Sequence, residues 1–464
     1  MNFINRETEL NFLSGKWMQN EAQLVILYGK RRVGKTELCL QFAKDKPHLY
    51  FLCERIAAPN QLKKLSHAVG EYFKDEFIST SGFDDWETLF KYIARKNERM
   101  ILIVDEFSYL AETDPAIGSI FQKGWDLYLK NSKIYLILLG SSISMMEKTV
   151  LFHKAPLYGR RTGQFLIKPF NFQQFKLAFP NRVFDEILAI YSMVGGTPFY
   201  WNRFGNRNYW DTIKEEILTK GEPLYEEVEF LLREELKEPR NYFVILEALS
   251  LGKHKLSEII NETGFDKGIV SRYLSILDSL QITEKEIPAT EKKPQKSRKG
   301  IYKIYDNFFH FWFQLIFRNK SLLEEGRIEE VLFMIKSAMT NLLSRNYEKI
   351  AGEILSDALL DGKSPFIPLS LGRWWDRHGE IDLVALNPRT NEILFGEVKW
   401  SLKPVGIDIY QDLKRKSQLV AWGKADRKEY FALFSKSGFT PDMKKLAKEQ
   451  KVYLFEKDKL MEIK

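Results

Sequence analysis

The stretch "LVILYGKRRVGKTELCL" (24–40) decides the fold of the first part of the chain. An apolar, strand-like run ends at Tyr28, the glycine-rich loop "GKRRVGKT" (29–36) follows it directly, and this loop opens a helix-like segment. The spacing GxxxxGK(S/T) between a strand and a helix is typical of a phosphate-binding loop. Its glycines let successive backbone N–H groups turn towards an anion, and the positive end of the helix adds to the attraction. The pattern therefore predicts a nucleotide site.

We expect ATP and Mg²⁺ at this site. Lys35 would reach the β- and γ-phosphates, and Thr36 would offer its hydroxyl to Mg²⁺. The predicted nucleotide contacts cover the whole loop and the start of the helix: Gly29, Lys30, Arg31, Arg32, Val33, Gly34, Lys35, Thr36 and Glu37.

A second element needed for hydrolysis is "MILIVDEF" (100–107), an apolar run that ends in two acids. Ligands of open α/β sheets bind at the carboxyl ends of strands, so Asp105 fits the Mg²⁺ role and Glu106 the polarisation of an attacking water. The alternative is a pair of solvated acids at a strand end.

Another buried run, "LILLGSS" (136–142), ends in two hydroxyl side chains, Ser141 and Ser142. One of them would hydrogen-bond the γ-phosphate or the water. The alternative is that these hydroxyls cap the next helix.

Composition limits the class of protein. The chain has 464 residues with 44% hydrophobic content, enough for several globular domains. Two cysteines exclude a disulfide framework, and six scattered histidines offer no zinc spacing. The longest uncharged apolar stretch, 13 residues, is short of the roughly 20 that cross a bilayer, and the N-terminus lacks a signal-peptide pattern. We therefore expect a cytoplasmic protein without a membrane partner. A net charge of +8 and a pI near 9.0 are compatible with a polyanion partner.

The order of patterns along the chain predicts a multi-domain α/β protein. Strand-like runs alternate with helical patterns up to "FLIKPF" (165–170), which indicates a parallel sheet with crossover helices. A helix-like region follows, and a second α/β stretch ends the chain. The predicted domains are a P-loop ATPase core (1–170), a helical lid (171–238), a winged helix-turn-helix (239–305), a helical connector (306–345) and a C-terminal α/β domain (346–464).

The segment "KLSEIINETGFDKGIVSRYLSILDSL" (255–280) predicts a helix-turn-helix, because Gly264 separates two helical patterns. The apolar faces are Leu256, Ile259 and Ile260 in the first helix and Ile269, Tyr273, Leu274 and Leu277 in the second. The exposed face of the second helix would carry Lys267, Ser271 and Arg272.

The loop "EKKPQKSRKG" (291–300) holds a dense group of cations against one acid, Glu291. The cations are Lys292, Lys293, Lys296, Arg298 and Lys299. Such a density is the electrostatic footprint of phosphate binding, so we predict DNA contact through this loop and the second helix. The alternatives are a protein-docking or autoinhibitory module, and a charged loop that is simply solvated.

The late stretch "GEIDLVALNPRTNEILFGEVKWS" (379–401) sets two acids and a lysine among residues that favour burial: Asp382, Glu397 and Lys399. Alternation along a strand sends Glu397 and Lys399 to one face. On two adjacent strands the three side chains would lie together and bind Mg²⁺ or Mn²⁺ for phosphodiester cleavage, with Lys399 orienting a water or stabilising the charged phosphorane. Glu380 would join them or be solvated. The alternative is a cross-strand ion pair on a half-exposed sheet.

Six motifs follow one another in the first half of the chain: "FINRETELNFL", "GKRRVGKT", "ILIVDEF", "LLGSSISMM", "PLYGRRT" and "GGTPFYW". Together they resemble the archaeal-type ATPase family, a branch of the AAA+ and STAND-like NTPases. The resemblance implies that "FINRE" packs near the adenine and that the helical part after Pro169 is a lid. It also implies that Arg160 or Arg161 contacts phosphate in the same or a neighbouring subunit of a homo-oligomer. The alternative for these arginines is a solvated or ion-paired role.

The segments "YKIYDNFFHFWFQ", "RWWDRHGEIDLVA" and "FGEVKWS" are similar to a domain of unknown function that often follows such ATPase domains. The pattern Asp382, fourteen residues, then Glu397-Val398-Lys399 resembles the PD-(D/E)XK nucleases, which implies a restriction-endonuclease-like fold. It also implies a metal-binding Glu on the preceding helix, and Glu348 matches that place. The chain departs from the pattern because "EI" stands where Pro usually precedes the first acid. A nuclease-like domain that binds DNA without cutting is a further alternative.

These patterns together predict an ATPase that couples Mg-ATP, through a winged helix, to a metal-dependent DNA endonuclease-like domain. Such a protein would serve DNA repair, recombination, mobile-element processing or defence. The competing hypothesis is a STAND-like switch in which ATP is a conformational ligand and DNA or protein is bound without cleavage. A helicase fits less well, because no further helicase-type motif follows "DEF".

Overall fold

The computed structural model describes residues 3–153, 155–236, 238–360 and 365–461. The chain divides into two compact units. The first is Met1–Phe170 with Thr197–Asn202, and the second is Asn171–Gly196 with Arg203–Lys464. Each unit is described by itself below.

Helices and strands occur in both units. The helices are α1 Glu7–Met18, α2 Lys35–Ala43, α3 Ala58–Tyr72, α4 Glu76–Ser81, α5 Trp86–Lys96, α6 Phe107–Thr113, α7 Ile117–Leu127, α8 Ile143–Met146, α9 Phe172–Lys176, α10 Phe184–Val194, α11 Pro198–Trp201, α12 Tyr209–Ile213, α13 Glu227–Glu235, α14 Pro239–Ser250, α15 Leu256–Thr263, α16 Lys267–Ser279, α17 Asn307–Phe311, α18 Lys320–Glu324, α19 Ile328–Leu360, α20 Ile407–Ser417 and α21 Pro441–Gln450. The strands are β1 Gln23–Tyr28, β2 His48–Leu52, β3 Ile101–Asp105, β4 Tyr135–Gly140, β5 Gly163–Leu166, β6 Thr283–Glu286, β7 Ile301–Ile304, β8 Ser370–Trp375, β9 Glu380–Asn387, β10 Glu392–Lys399, β11 Lys428–Ser435, β12 Tyr453–Glu456 and β13 Lys459–Leu460.

The first unit is built on a parallel sheet with helices on both faces, as the sequence predicts. The strand order is β2-β3-β4-β1-β5, and each strand runs parallel to its neighbours. Residues of β1 alternate between two apolar cores: Val25 and Leu27 pack in one, whereas Leu24 and Ile26 pack in the other. Because the strands are parallel, the carboxyl ends of β1, β3 and β4 lie at one edge of the sheet. The loop after β1 therefore lies beside the residues that follow β3 and β4.

In the second unit, helices α14, α15 and α16 precede the antiparallel hairpin β6–β7. Gly264 ends α15 in the left-handed conformation, with φ of 69°. Asp266 caps α16, because its carboxylate accepts hydrogen bonds from the backbone N–H groups of Gly268 at 2.7 Å and Ile269 at 3.0 Å. These two ends give the turn between α15 and α16 a defined geometry.

The buried face of α16 differs from the predicted face at one position. Ile269, which the sequence pattern assigns to the core, is 39% exposed, and Val270 is buried instead. Tyr273, Leu274 and Leu277 are buried as predicted. Their spacing from Val270 is three, four and seven residues, which is the apolar stripe of a helix. The assignment of Ile269 to this face was wrong because the stripe starts one residue later.

The C-terminal part of the second unit is a mixed sheet with the order β13-β12-β11-β10-β9-β8. Strands β8, β9 and β10 form an antiparallel meander, whereas β11 runs parallel to β10 and β12 parallel to β11. Helices α20 and α21 provide the two parallel crossovers. The register pairs Gly396 of β10 with Leu383 of β9. Asp382 therefore lies beside the backbone that follows Gly396.

Helix α19 is 33 residues long and contacts strands β8, β9 and β10. It runs through residue 345, so the predicted start of the C-terminal domain at residue 346 falls inside a helix. The predicted domain limits stay a prediction. Within the described ranges, none of the helices is both long and apolar enough to cross a membrane.

Candidate functional site

The phosphate-loop sequence forms a strained turn between β1 and α2. Gly29 has a φ of 155°, and a Cβ at this position would lie 2.2 Å from the carbonyl oxygen of Ile167. Arg32 and Gly34 have φ values of 70° and 89° in the left-handed region. Glycine is required where a Cβ would clash and is favoured where φ is positive. Position 29 therefore requires glycine, and position 34 favours it.

Lys35 and Thr36 begin α2 at the end of this loop. The buried Lys35 Nζ donates hydrogen bonds to the carbonyl oxygens of Gly29 and Lys30, each at 2.9 Å. Thr36 Oγ1 donates to Asp105 Oδ2 at 2.6 Å. The hydroxyl and the carboxylate that were predicted to share Mg²⁺ thus lie together at the sheet edge.

Asp105 and Glu106 stand at the end of β3, held by several donors. The hydroxyl of Tyr50, on neighbouring β2, donates to Asp105 Oδ2 at 3.0 Å, and burial and the Asp105 charge raise the pKa of Tyr50. Glu106 has a φ of 52°, and its Oε2 accepts from Ser141 Oγ at 2.6 Å and Ser108 Oγ at 3.3 Å. Ser141, predicted to contact the phosphate or the water, is thus bonded to the acid predicted to polarise that water.

Arg6 is a residue whose role the sequence analysis did not resolve. Its guanidinium is buried, donates to Glu9 Oε1 at 2.8 Å and to the Val33 carbonyl at 2.9 Å, and lies 4.1 Å from the ring centre of Phe170. Burial lowers the pKa of Arg6, and Glu9 opposes that effect. The "FINRE" segment therefore holds the phosphate loop through the hydrogen bond from Arg6 to the Val33 carbonyl. The signal available in the sequence was an Arg and a Glu three residues apart, at the start of a helix.

The remaining basic residues predicted at the nucleotide have partners within the first unit. The Arg31 Nη2 donates to the Tyr109 hydroxyl at 3.1 Å, and Arg32 lies 3.9 Å from the ring centre of Phe199. Arg160 pairs with Asp126 at 3.1 Å. Arg161 donates to the backbone carbonyls of Val150 and Leu151 at 3.1 and 3.3 Å. The exposed Glu37 lies in the first turn of α2.

In the second unit, the predicted acid site lies across strands β9 and β10. Asp382 Oδ2 accepts from the backbone N–H of Val398 at 2.9 Å. Glu397 is 5% exposed, and its Oε1 accepts from Lys399 Nζ at 2.7 Å and from Lys416 Nζ at 3.4 Å. Its Oε2 is buried without a hydrogen-bond partner among the described residues. The structure thus brings Asp382, Glu397 and Lys399 together.

Two carboxyl groups of this site have raised pKa values. Burial, together with the charge of Glu397, raises the pKa of Asp382 to about 6. Burial, together with the charge of Asp382, raises the pKa of Glu348 on α19 to about 7. Asp382 therefore interacts electrostatically with both Glu397 and Glu348. Within the part of the chain that the structure describes, however, no group of three or more Asp, Glu, His or Cys residues stands in metal-binding geometry.

Lys416 is a further residue that sequence reasoning missed. It projects from α20, where Asp412 Oδ2 lies 2.9 Å from its ammonium, and reaches Glu397 across the crossover connection. Burial lowers its pKa, but the hydrogen bonds and charges of Asp412 and Glu397 outweigh this and raise it overall. The sequence signal was the i,i+4 pair Asp412–Lys416 on a helix that follows the strand with the acid.

A cavity of about 590 Å³ is lined by two of these acids, Asp382 and Glu348. Its wall combines charged side chains of both signs from four elements of the second unit: Glu286 and Lys303 of β6–β7, Arg345 and Glu348 of α19, Arg373 of β8 and Asp382 of β9. Burial lowers the pKa of Arg345 to about 10. We call this space the acid cavity.

The residues predicted to contact DNA lie on the surface of the second unit. Lys267, Ser271 and Arg272 are exposed on α16. The basic residues of the loop between β6 and β7 are exposed as well: Lys292, Lys293, Lys296, Arg298 and Lys299. Lys299 pairs with Glu291 at 3.5 Å. The two groups occupy one helix and the hairpin loop that follows it.

Two segments of the chain match family models. Residues 3–202 match an ATPase domain found predominantly in Archaea. Residues 312–408 match a domain of archaeal and bacterial proteins of unknown function. Together with the parallel sheet and the loop between β1 and α2, the first match defines the class of protein: a P-loop ATPase.

Relatives narrow this to a family. Over 441 residues the chain is 40% identical to the uncharacterized protein MJECL04 of Methanocaldococcus jannaschii, covering 94% of this chain and 95% of that protein. Over 44 residues it is 57% identical to the uncharacterized ATP-binding protein MJ0423 of the same organism, covering 10% of this chain and 75% of that protein. The chain therefore belongs to the same family as MJECL04, with an archaeal-type P-loop ATPase domain in its first half. The predicted ATPase family is confirmed.

A solved structure agrees in fold. The Walker-type ATPase paby2304 of Pyrococcus abyssi superposes with a TM-score of 0.50 at 21% sequence identity, covering 67% of this chain and 96% of that one.

Proposed function

We propose that this ATPase couples Mg-ATP binding and hydrolysis to DNA binding and to metal-dependent DNA cleavage at Asp382, Glu397 and Lys399. The observation that carries the cleavage part is the state of Glu397: its side chain is buried, and Oε2 has no hydrogen-bond partner among the described residues. A buried carboxylate oxygen without a partner is destabilising unless a ligand satisfies it. Beside a second carboxylate, such an oxygen suits a hard divalent cation.

In the nucleotide site, each residue has a role that follows from its present contacts. Lys35 would exchange the carbonyls of Gly29 and Lys30 for phosphate oxygens. Thr36 and Asp105 offer the hydroxyl and carboxylate oxygens that fit Mg²⁺, and a bound Mg²⁺ supplies neutralisation of the phosphate charge. Glu106 would orient the attacking water and accept its proton. Ser141 would set the direction of that carboxylate through its 2.6 Å hydrogen bond to Oε2.

In the acid site, Asp382 and Glu397 are the minimal pair that would hold Mg²⁺ or Mn²⁺; Glu348 would have to move towards them to serve as the third ligand, because no three acids stand in metal-binding geometry among the described residues. Such an ion, when bound, supplies a water of lowered pKa. Lys399 would neutralise charge that develops on the cleaved phosphate, since its side chain is partly exposed and its ammonium lies 2.7 Å from Glu397 Oε1. Lys416 would hold Glu397 Oε1 so that Oε2 stays directed towards the ligand.

The architecture supports a nucleic acid as the substrate. Three helices followed by an antiparallel hairpin fit the winged-helix interpretation, and the exposed cations lie on the third helix, α16, and on the loop of the hairpin. The acids come from adjacent strands and from the preceding helix, as the resemblance to PD-(D/E)XK nucleases implies. Both features support the DNA-directed reading of the second unit. DNA as partner and a homo-oligomer with Arg160 or Arg161 at a neighbouring nucleotide stay part of this proposal.

The second candidate function is a STAND-like switch that binds DNA or protein without cleaving. The observation in its favour is the double ion pair at Glu397, since Lys399 and Lys416 both contact Oε1. Under this hypothesis the acids stabilise the sheet through ion pairs. ATP binding would change the conformation of the chain, which would bind DNA or protein without cleaving it.

Cleavage of labelled single-stranded, duplex and branched DNAs, with Mn²⁺ or Mg²⁺ and with or without ATP, separates the two functions. Wild type should cut, and Glu397→Gln should lose at least about 10²-fold in rate, because one ligand and one charge are removed. Glu392→Gln is the matched control: Glu392 lies on the same strand and its carboxylate accepts from the Tyr430 hydroxyl at 3.1 Å. No cutting by wild type while ATP hydrolysis persists contradicts the cleavage proposal and favours the switch.

A further inference from the structure

Tyr50 of β2 has an apolar ring and a polar hydroxyl with different surroundings. The ring packs against the apolar core that contains Leu38 and Cys39 of α2. The hydroxyl donates to Asp105 Oδ2 at 3.0 Å. In the pairing of β2 with β3, Tyr50 lies opposite Ile103, two residues before Asp105. The hydroxyl therefore reaches along the sheet towards the edge at which the phosphate loop lies.

The carboxylate of Asp105 is buried, and both of its oxygens accept hydrogen bonds. Oδ1 accepts from the backbone N–H of Glu106 at 2.8 Å. Oδ2 accepts from Thr36 Oγ1 at 2.6 Å and from the Tyr50 hydroxyl at 3.0 Å. The carboxylate is thus held by donors from α2, from β2 and from the residue that follows β3. The hydroxyls of Thr36 and Tyr50 meet at the same oxygen.

We infer that Tyr50 is a positioning residue for Mg²⁺ at the nucleotide site: its hydroxyl holds the Asp105 carboxylate in the orientation in which Asp105 and Thr36 bind the ion. The inference rests on the proposed function, because the Mg²⁺ role of Asp105 belongs to it. Hydrogen bonds to the side chains that ligate a metal commonly change metal affinity by about 10- to 100-fold. Because packing holds the ring, the hydroxyl has a defined position from which to orient the carboxylate.

A purely structural role of the hydroxyl would have a different consequence. If it only stabilised β2 or the phosphate loop, its loss would weaken nucleotide binding with and without metal. A positioning role instead affects the part of the binding free energy that Mg²⁺ supplies. The two roles can therefore be separated by comparing nucleotide affinity in the presence and absence of the ion.

The test is the affinity of the full-length protein for a fluorescent, non-hydrolysable ATP analogue, measured with saturating Mg²⁺ and again with EDTA. The ratio of the two affinities is the gain that the metal supplies. Tyr50→Phe keeps the ring and removes the hydroxyl. We expect this ratio to fall about tenfold, because the metal ligand loses its orienting donor. The affinity in EDTA should change by less than about twofold, since the phosphate loop keeps its own contacts.

Tyr135→Phe is the matched control. Tyr135 is buried in the same apolar core, but its hydroxyl donates to the carbonyl of Leu13 at 3.1 Å. Its ratio of affinities should remain that of wild type. A ratio in Tyr50→Phe that equals the wild-type ratio overturns the inference, whether both affinities fall or neither does.

Asp105→Asn separates this inference from the proposed function. This variant should lose the metal-dependent gain, because a hard divalent cation favours a carboxylate over a neutral amide. If Asp105→Asn loses the gain and Tyr50→Phe keeps it, Tyr50 has no positioning role and the Mg²⁺ role of Asp105 stands. If Asp105→Asn keeps the gain, the Mg²⁺ role in the proposed function fails, and the inference fails with it.

Discussion

The nucleotide site and the acid site both contain buried acidic side chains, but the hydrogen-bond partners of these acids differ. At the nucleotide site, Asp105 and Glu106 are consecutive, and their oxygens accept hydrogen bonds from Thr36, Tyr50 and Ser141. At the acid site, the carboxylates come from neighbouring strands, and one buried oxygen of Glu397 has no hydrogen-bond partner among the described residues. The acids of the first site are held by neutral hydroxyl donors, whereas Glu397 of the second site pairs through Oε1 with Lys399 and Lys416 and keeps only Oε2 without a partner among the described residues. Charge removal should therefore affect the two sites differently.

The largest effect is expected at the nucleotide site. Glu106→Gln should reduce ATP turnover by about 10²–10⁴-fold, because the amide cannot accept a proton from the attacking water. Nucleotide affinity should change little, since the phosphate loop and Thr36 are untouched. Steady-state hydrolysis and binding of a fluorescent nucleotide measure the two quantities. Glu112→Gln, an exposed acid on the next helix, is the control. Wild-type turnover in Glu106→Gln would remove this residue from catalysis.

The nucleotide site was predictable because its signals are local in sequence. The loop from Gly29 to Thr36 and the acids after β3 each follow an apolar run, and a parallel sheet places such strand ends together. The hydrogen bond from Arg6 to the Val33 carbonyl was not predictable from local sequence signals. It depends on a buried hydrogen bond between residues 27 positions apart.

The acid site was predictable only in part, because its geometry depends on strand register. Alternation placed Glu397 and Lys399 on one face, and their ammonium and carboxylate lie 2.7 Å apart. Asp382 reaches the Val398 amide because of the register in which β9 pairs with β10. The sequence of the turn between these two strands does not specify that register. Lys416 lies on helix α20, which follows β10, and no rule of sequence spacing predicts its contact with Glu397. The prediction that Ile269 belongs to the buried face of α16 was wrong, because the next residue, Val270, takes that place.

The second prediction concerns the pH dependence of stability at the acid site. The pKa values of Asp382, about 6, and Glu348, about 7, lie above the usual range of carboxyl groups. Between pH 4 and pH 7 the folded protein thus keeps protons that the unfolded chain has lost, so the stability of the second unit should fall as pH rises through this window.

Asp382→Asn should stabilise the second unit at pH 8 by on the order of 1–3 kcal/mol and flatten this pH dependence. Denaturant-dependent hydrogen exchange of amides in β9 and β10 reports this unit. Saturating Mn²⁺ should reverse the slope in wild type, because the ion binds the ionised acids. The exposed Asp376→Asn is the control. Stability that rises from pH 4 to pH 7 without metal would contradict the raised pKa values of Asp382 and Glu348.

The third prediction tests how far the nucleotide site is organised by Arg6. Arg6→Met should raise the KM for ATP by about tenfold, since it leaves the Val33 carbonyl and the buried Glu9 without their donor. The value of kcat should change less, because Arg6 lies beneath the loop and acts by positioning it. Arg6→Lys should recover part of the affinity through one hydrogen bond. Loss of kcat alone, at unchanged KM, would contradict a positioning role.

The smallest effect is expected at the basic loop of the second unit. Lys292→Ala, Lys293→Ala should weaken DNA binding a few-fold and reduce the slope of log affinity against log salt by up to about two, because each lost phosphate contact removes roughly 0.9 from that slope. Lys444→Ala, Lys445→Ala on α21 removes the same charge from another exposed surface. If both pairs lower the slope equally, DNA responds to the net charge of +8 rather than to the loop. A loop-specific effect would instead assign the DNA contact to the hairpin β6–β7, whose strands form one wall of the acid cavity.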